Sequence, residues 1–155
     1  MAGGFCISVF ALVMKNDKVL LVRPQANPKW EEWAPNWKLY EPERLSSEYI
    51  KWRFPSSYVG EGEHPDETLR RIAQGQLGVW TYRAGEGKLL NFYEPSRRYP
   101  GRMHWDYCFV YRVELNEEPG PKPWFSAIEY VSVSRLIPAD FGSGQGELLQ
   151  ALRIA

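Results

Sequence analysis

Apolar residues in this chain come in short runs separated by turn residues, and the spacing changes from strand-like to helical and back. Residues 5–14 (FCISVFALVM) and 18–23 (KVLLVR) are β-rich runs around Asn16-Asp17, a pair suited to a two-residue hairpin turn. The pattern breaks up over 24–51, where Pro24, Pro28, Pro35 and Pro42 stand among charged residues and Trp. Long structureless loops are uncommon in compact domains, so this excursion is expected to be ordered and functional. A short extended piece at 52–55 follows. Then Pro65 fits a first helical position, and Asp66 and Glu67 suit the positive end of a helix dipole. Leu69, Ile72, Ala73, Gln76 and Leu77 fall on one stripe at helical spacing, and Gly78 ends the helix.

Strand-like runs return at 88–94 and 103–115, joined by the basic turn Arg97-Arg98-Tyr99-Pro100-Gly101-Arg102. In the second run Trp105, Tyr107, Phe109, Tyr111 and Val113 alternate with His104, Asp106, Cys108, Val110 and Arg112. That period of two predicts an aromatic face and a mostly polar one. A loop at 116–126, a strand at 127–133 and a helix over about 144–153 carrying Leu148, Leu149 and Leu152 complete the chain. No internal repeat or low-complexity tract is present.

Composition narrows the class. The 155 residues suit one domain, 1–155, able to bury roughly two-thirds of its unfolded surface. Hydrophobic residues at 44% and charged residues at 25% are ordinary for a soluble protein. Nineteen basic residues balance nineteen acidic ones, which gives no long-range attraction to DNA or acidic membranes and leaves mild self-association, such as a homodimer, open. No apolar run approaches the roughly 20 residues of a membrane span, and no basic-then-apolar leader opens the chain, so a cytoplasmic location is expected. Seven Trp, nine Tyr and seven Phe are many for this length, with three Trp inside 30–37. They are read either as extra core and a packed loop or as a stacking surface for a base.

Residues 54–79, FPSSYVGEGEHPDETLRRIAQGQLGV, carry the chemistry. They resemble the box of the Nudix hydrolases, which split diphosphate bonds in nucleoside diphosphate derivatives with Mg²⁺. The family pattern is Gly, five residues, Glu, seven residues, then Arg-Glu-aliphatic-any-Glu-Glu-any-Gly-aliphatic. Pro55, Val59, Gly62-Glu63, Arg71, Gly78 and Val79 stand in register, and the late EYVSVSRLIPADF is similar to the family's final strand and turn. The resemblance implies an α/β protein with the Nudix fold, an α/β/α sandwich around a mixed β-sheet. Ser57 takes the place of the first Gly, and the three metal-binding Glu fall on Ile72, Gly75 and Gln76. Shifting the register restores nothing, because 68–85 contains no Asp or Glu.

Mg²⁺ demands hard oxygen ligands in near-octahedral order. Isoleucine supplies none, and glutamine offers one neutral oxygen. Losing about 4 kcal/mol of transition-state stabilisation slows a reaction roughly a thousandfold. The leading expectation is a catalytically silent or weak homologue that keeps a pocket for a nucleotide or nucleoside diphosphate-type ligand. Tyr58 and Trp105 are candidates to stack on a base, and Arg97, Arg98 and Arg102 to meet phosphate, although an exposed basic turn explains the Arg equally well.

The alternatives are an active Mg²⁺- or Mn²⁺-dependent hydrolase with rearranged ligands, and an interaction module using the Trp-rich segment. Rearranged metal ligands would come from Glu61, Glu63 and Glu67, with Glu117 and Glu118 in a loop where some relatives keep a catalytic base. Helix capping and a solvated charge cluster explain the first three without a metal. Glu63 and Arg71 read as a structural pair. No cofactor is expected outside residual hydrolysis, and a structural zinc is not expected, because His64, His104, Cys6 and Cys108 have no zinc spacing. Both thiols read as buried and unbridged. Gly142-Ser143-Gly144-Gln145-Gly146 reads as a linker and helix cap.

Overall fold

The computed structural model describes residues 5–25, 51–96, 100–142 and 145–153. The expected excursion, with its three Trp, therefore lies mostly outside the described residues, as do Arg97 and Arg98. Strands β1 (Phe5–Lys15) and β2 (Lys18–Pro24) form the hairpin, pairing Met14 with Val19 and Lys15 with Lys18. Asn16 takes φ 58° at its tip, a left-handed conformation that Asn tolerates because its short polar side chain bonds locally.

β3 (Ser56–Tyr58) leads into helix α1 (Pro65–Arg71). Four more strands follow: β4 (Tyr82–Ala84), β5 (Lys88–Pro95), β6 (Met103–Leu115) and β7 (Phe125–Ser132). The sheet order is β4-β6-β1-β2-β7, with β3 also on β1 and β5 also on β6. β1 and β6 run parallel, from Phe5 opposite Trp105 to Val13 opposite Val113, and the other pairings are antiparallel.

Parity along β1 and β6 decides which side chain goes where. Val9, Ala11, Val13, Tyr111 and Val113 pack with Leu69, Ile72 and Leu77 on the face that α1 covers. Phe10, Leu12, Cys108 and Val110 face the other way, against Phe54, Phe141, Leu148, Leu149 and Leu152. The last three belong to a 3₁₀ turn (Gln145–Leu148) running into α2 (Leu149–Arg153). Each fully buried side chain of this size contributes about 1.5–3 kcal/mol.

Four expectations need correcting. The alternate face of β6 is polar at His104, Asp106 and Arg112, but between them Cys108 and Val110 are core, because the strand is central and covered on both sides. The box helix does not run as one α-helix to Leu77. It widens to a π turn over Ile72–Gln76, with the Leu77 amide bonded to the Ile72 carbonyl, and Gly75, a weak helix former, sits inside that turn. Gly78 still ends the element, at φ 68°. β4 has no pattern of its own and forms because the end of β6 offers it a partner. β7 begins at Phe125, and the late helix opens as 3₁₀.

Candidate functional site

The box builds a loop from Val59 to His64 and then α1. His64 caps the helix, its Nδ1 accepting from the Asp66 amide at 3.1 Å, and Pro65 occupies the first turn as the sequence suggested. Asp66 in turn accepts a hydrogen bond from the Tyr111 hydroxyl at 2.6 Å, which ties the helix start to the central strand. Burial first, and then that hydrogen bond, hold the Tyr111 phenol well above its ordinary pKa.

Arg71 and Glu63 are the knot of the loop. The Arg71 guanidinium donates to Glu63 from Nε at 3.1 Å and from Nη2 at 2.9 Å. It also reaches the Ser57 hydroxyl at 2.8 Å and the Tyr58 carbonyl at 2.8 Å. Glu63 further accepts from the Gly60 amide at 3.0 Å and from the Thr68 hydroxyl. These donors, Arg71 foremost, lower its pKa to about 2. A carboxylate holding so many donors is a loop organiser.

The residues that the box pattern aligns with the metal positions have other contacts. Ile72 is fully buried beside Leu69 and Leu77. Gly75 is exposed on the π turn. Gln76 is buried, with its side-chain amide donating to the Ser56 carbonyl at 2.8 Å and its own carbonyl accepting from the Trp124 indole at 3.0 Å.

The other candidates scatter. Glu61 and Glu67 are exposed, and among the described residues they form no three-ligand group with Glu63. Glu117 accepts from the Trp80 amide at 2.7 Å, and Glu118 pairs with Lys15 at 2.6 Å, so both fasten their loop to neighbouring elements. Tyr58 stands opposite Ser8 in the sheet, while Trp105 stands opposite Phe5, so the two lie on different faces. Trp105 is 42% exposed, tilted against Tyr93 at 4.8 Å and stacked on Tyr107 at 6.0 Å between ring centroids. This open aromatic row shares the sheet face that α1 covers further along. Arg102 is exposed, close before Trp105 in the chain.

Neither cysteine is in a disulfide, and burial pushes the Cys108 thiol up to about 11. Among the described residues, the group of three potential metal ligands that does converge is Cys6, His104 and Asp106. Its only signal in the sequence was the parity that put His104 and Asp106 on one face of β6.

The NUDIX domain profile matches residues 4–152, and the chain belongs to this family. Solved structures share the fold at low identity. A MutT protein from Methanosarcina mazei is 15% identical, with TM-score 0.67 over 99% of this chain and 96% of its own. A MutT NUDIX hydrolase from Burkholderia pseudomallei is 16% identical, with TM-score 0.62 over 94% of this chain and 96% of its own. The dihydroneopterin triphosphate pyrophosphohydrolase of E. coli is 12% identical, with TM-score 0.61 over 97% and 94% respectively. No curated protein gives a match.

Proposed function

We propose that this is a single-domain, cytoplasmic Nudix protein with a degraded Mg²⁺ site. In this reading it is silent or much weakened as a diphosphate hydrolase and retains a pocket for a nucleotide or nucleoside diphosphate-type ligand. One observation carries the first half: Ile72 is built into the core and the Gln76 amide is spent on the Ser56 carbonyl. With Gly75 between them, the three positions supply no carboxylate, and Mg²⁺ needs hard oxygen ligands. The residues present do not fit the ion. Glu63 is no substitute, since Arg71, Thr68 and Gly60 already fill its oxygens.

The pocket half rests on the row Tyr93–Trp105–Tyr107, with Tyr93 and Trp105 exposed and Arg102 near its start in the chain. An aromatic face of this kind suits a base, at about 1–3 kcal/mol per stacked base, and an arginine fork suits phosphate. A homodimer is compatible with this arrangement.

The test pairs catalysis with binding. Nucleoside diphosphate sugars, dinucleoside polyphosphates and nucleoside triphosphates are incubated with protein and Mg²⁺ or Mn²⁺, and the same panel is titrated calorimetrically. The expected result is no appreciable turnover, together with binding of at least one ligand that weakens roughly tenfold or more in Trp105→Ala. Metal-dependent turnover at rates typical of enzymes would overturn the silent reading. Absence of binding across the panel would overturn the pocket and favour an interaction module.

A further inference from the structure

At the opposite sheet face, away from the box, the first residues of β1 and β6 bring three metal-ligating side chains together. Cys6 stands directly across from Asp106 in the parallel pairing, and His104 precedes Asp106 by two residues on the same face. One ligand atom from each of the three lies within 4.8 Å of the others. A tetrahedral ion with ordinary Zn–S, Zn–N and Zn–O bonds holds its ligands about 3.3–3.7 Å apart, so modest side-chain adjustment closes the site.

A second observation points the same way. His104 Nε2 and Asp106 Oδ1 are 2.9 Å apart, while His104 Nδ1 is buried and has no hydrogen-bond partner. On metal binding His104 Nε2 and the Asp106 carboxylate oxygen would both turn to the ion, their 2.9 Å separation opening by roughly half an ångström to tetrahedral ligand spacing. His104 and Asp106 side chains are 16% and 25% exposed, so the site is sheltered but open to an ion from solution. Glu94 pairs with His104 across β5 and adds negative charge to the same face.

We propose that Cys6, His104 and Asp106 form a binding site for a thiophilic divalent cation, Zn²⁺ by its ligand chemistry, with the fourth tetrahedral position left to water. Thiolate, imidazole and carboxylate are a borderline-soft set that selects Zn²⁺ over the hard Mg²⁺. Binding releases the Cys6 thiol proton to solvent, as the thiolate is the ligand. The ion would fasten the start of β1 to the start of β6. No sequence spacing announces such a site, because its ligands come from two strands distant in the chain.

Chelator-stripped protein titrated with Co²⁺ tests this, since a thiolate ligand produces a charge-transfer band. The expected result is the band at one equivalent per chain, displaced by Zn²⁺ and not by Mg²⁺. Cys6→Ser should abolish the band. His104→Gln and Asp106→Asn should weaken binding at least about tenfold, and Cys108→Ser should leave it unchanged. Metal-free circular dichroism and melting curves check that each variant folds. Should Cys6→Ser fail to fold, the Zn²⁺-induced rise in Tm, present in the natural protein and absent in His104→Gln, decides the matter. No band, a band surviving Cys6→Ser, or one lost in Cys108→Ser would overturn the proposal.

Discussion

Two polar clusters sit on opposite faces of the same sheet, and they differ in how completely their hydrogen bonds are satisfied. In the box, Glu63 accepts from Arg71, Thr68 and Gly60, and Arg71 also holds Ser57 and the Tyr58 carbonyl. At the start of β6, His104 and Asp106 share one contact while a buried ring nitrogen stays without a partner. The box is richer in carboxylates, yet its central carboxylate is fully engaged by the protein itself. The smaller cluster is the one with capacity to spare. A saturated network stabilises a fold, whereas an unsaturated buried one is poised for a ligand.

The sharpest way to break this comparison is to put a carboxylate back at the core position of the box. Ile72→Glu should destabilise the protein by about 3–5 kcal/mol, because the site is fully buried within an apolar cluster. A urea titration that left the midpoint unchanged would show the side chain escaping to solvent. Next in size is Arg71→Ala. It strands the sheltered Glu63 carboxylate and should cost about 2–3 kcal/mol, less than a wholly buried pair because both side chains are partly exposed. His104→Ala without metal should cost less, about 1 kcal/mol, as it removes one contact and also the partnerless nitrogen. Equal penalties for the two would erase the distinction drawn here.

The pH dependence sharpens it further. The folded pKa of Glu63 lies at about 2, below its ordinary value of 4.5. Its stabilisation is therefore fully present above about pH 4.5 and is lost as pH falls from there through about 2. Equilibrium unfolding followed between pH 6 and 2 should show this loss, and Glu63→Gln should flatten that part of the profile. The smallest effect is expected at Gly75→Ala. The glycine is exposed, its added methyl would meet only the Arg71 side chain at 3.9 Å, and helix propensity should stabilise the protein by up to about 1 kcal/mol. A loss of stability there would mean that the π turn itself requires glycine.

Much of the fold was legible in the residues. The hairpin at Asn16-Asp17, the helix start at Pro65, its stop at Gly78 and the strand over 103–115 all appear where local signals put them. These features depend on turn chemistry, caps and periodicity, which act over a few neighbouring residues. The Glu63–Arg71 pair was legible too, since the family pattern fixes its spacing. β4 was not, because three residues carry no period and only the partner strand makes them a strand. The second core face of β6 was hidden for a related reason: Cys108 and Val110 look like exceptions in a polar row until α2 covers them.

The sequence by itself determined the family, through the box motif, most of the order of elements, and which residues that motif aligns with the three metal positions, since these depend on local pattern and spacing. Only the tertiary structure decided that Tyr58 and Trp105 lie on different faces, that the Gln76 amide is already bonded to Ser56, and that Cys6 meets His104 and Asp106. Each of those outcomes depends on the register between strands far apart in the chain. A shift of one residue in that register would send every side chain to the other face, and it is long-range packing that fixes it.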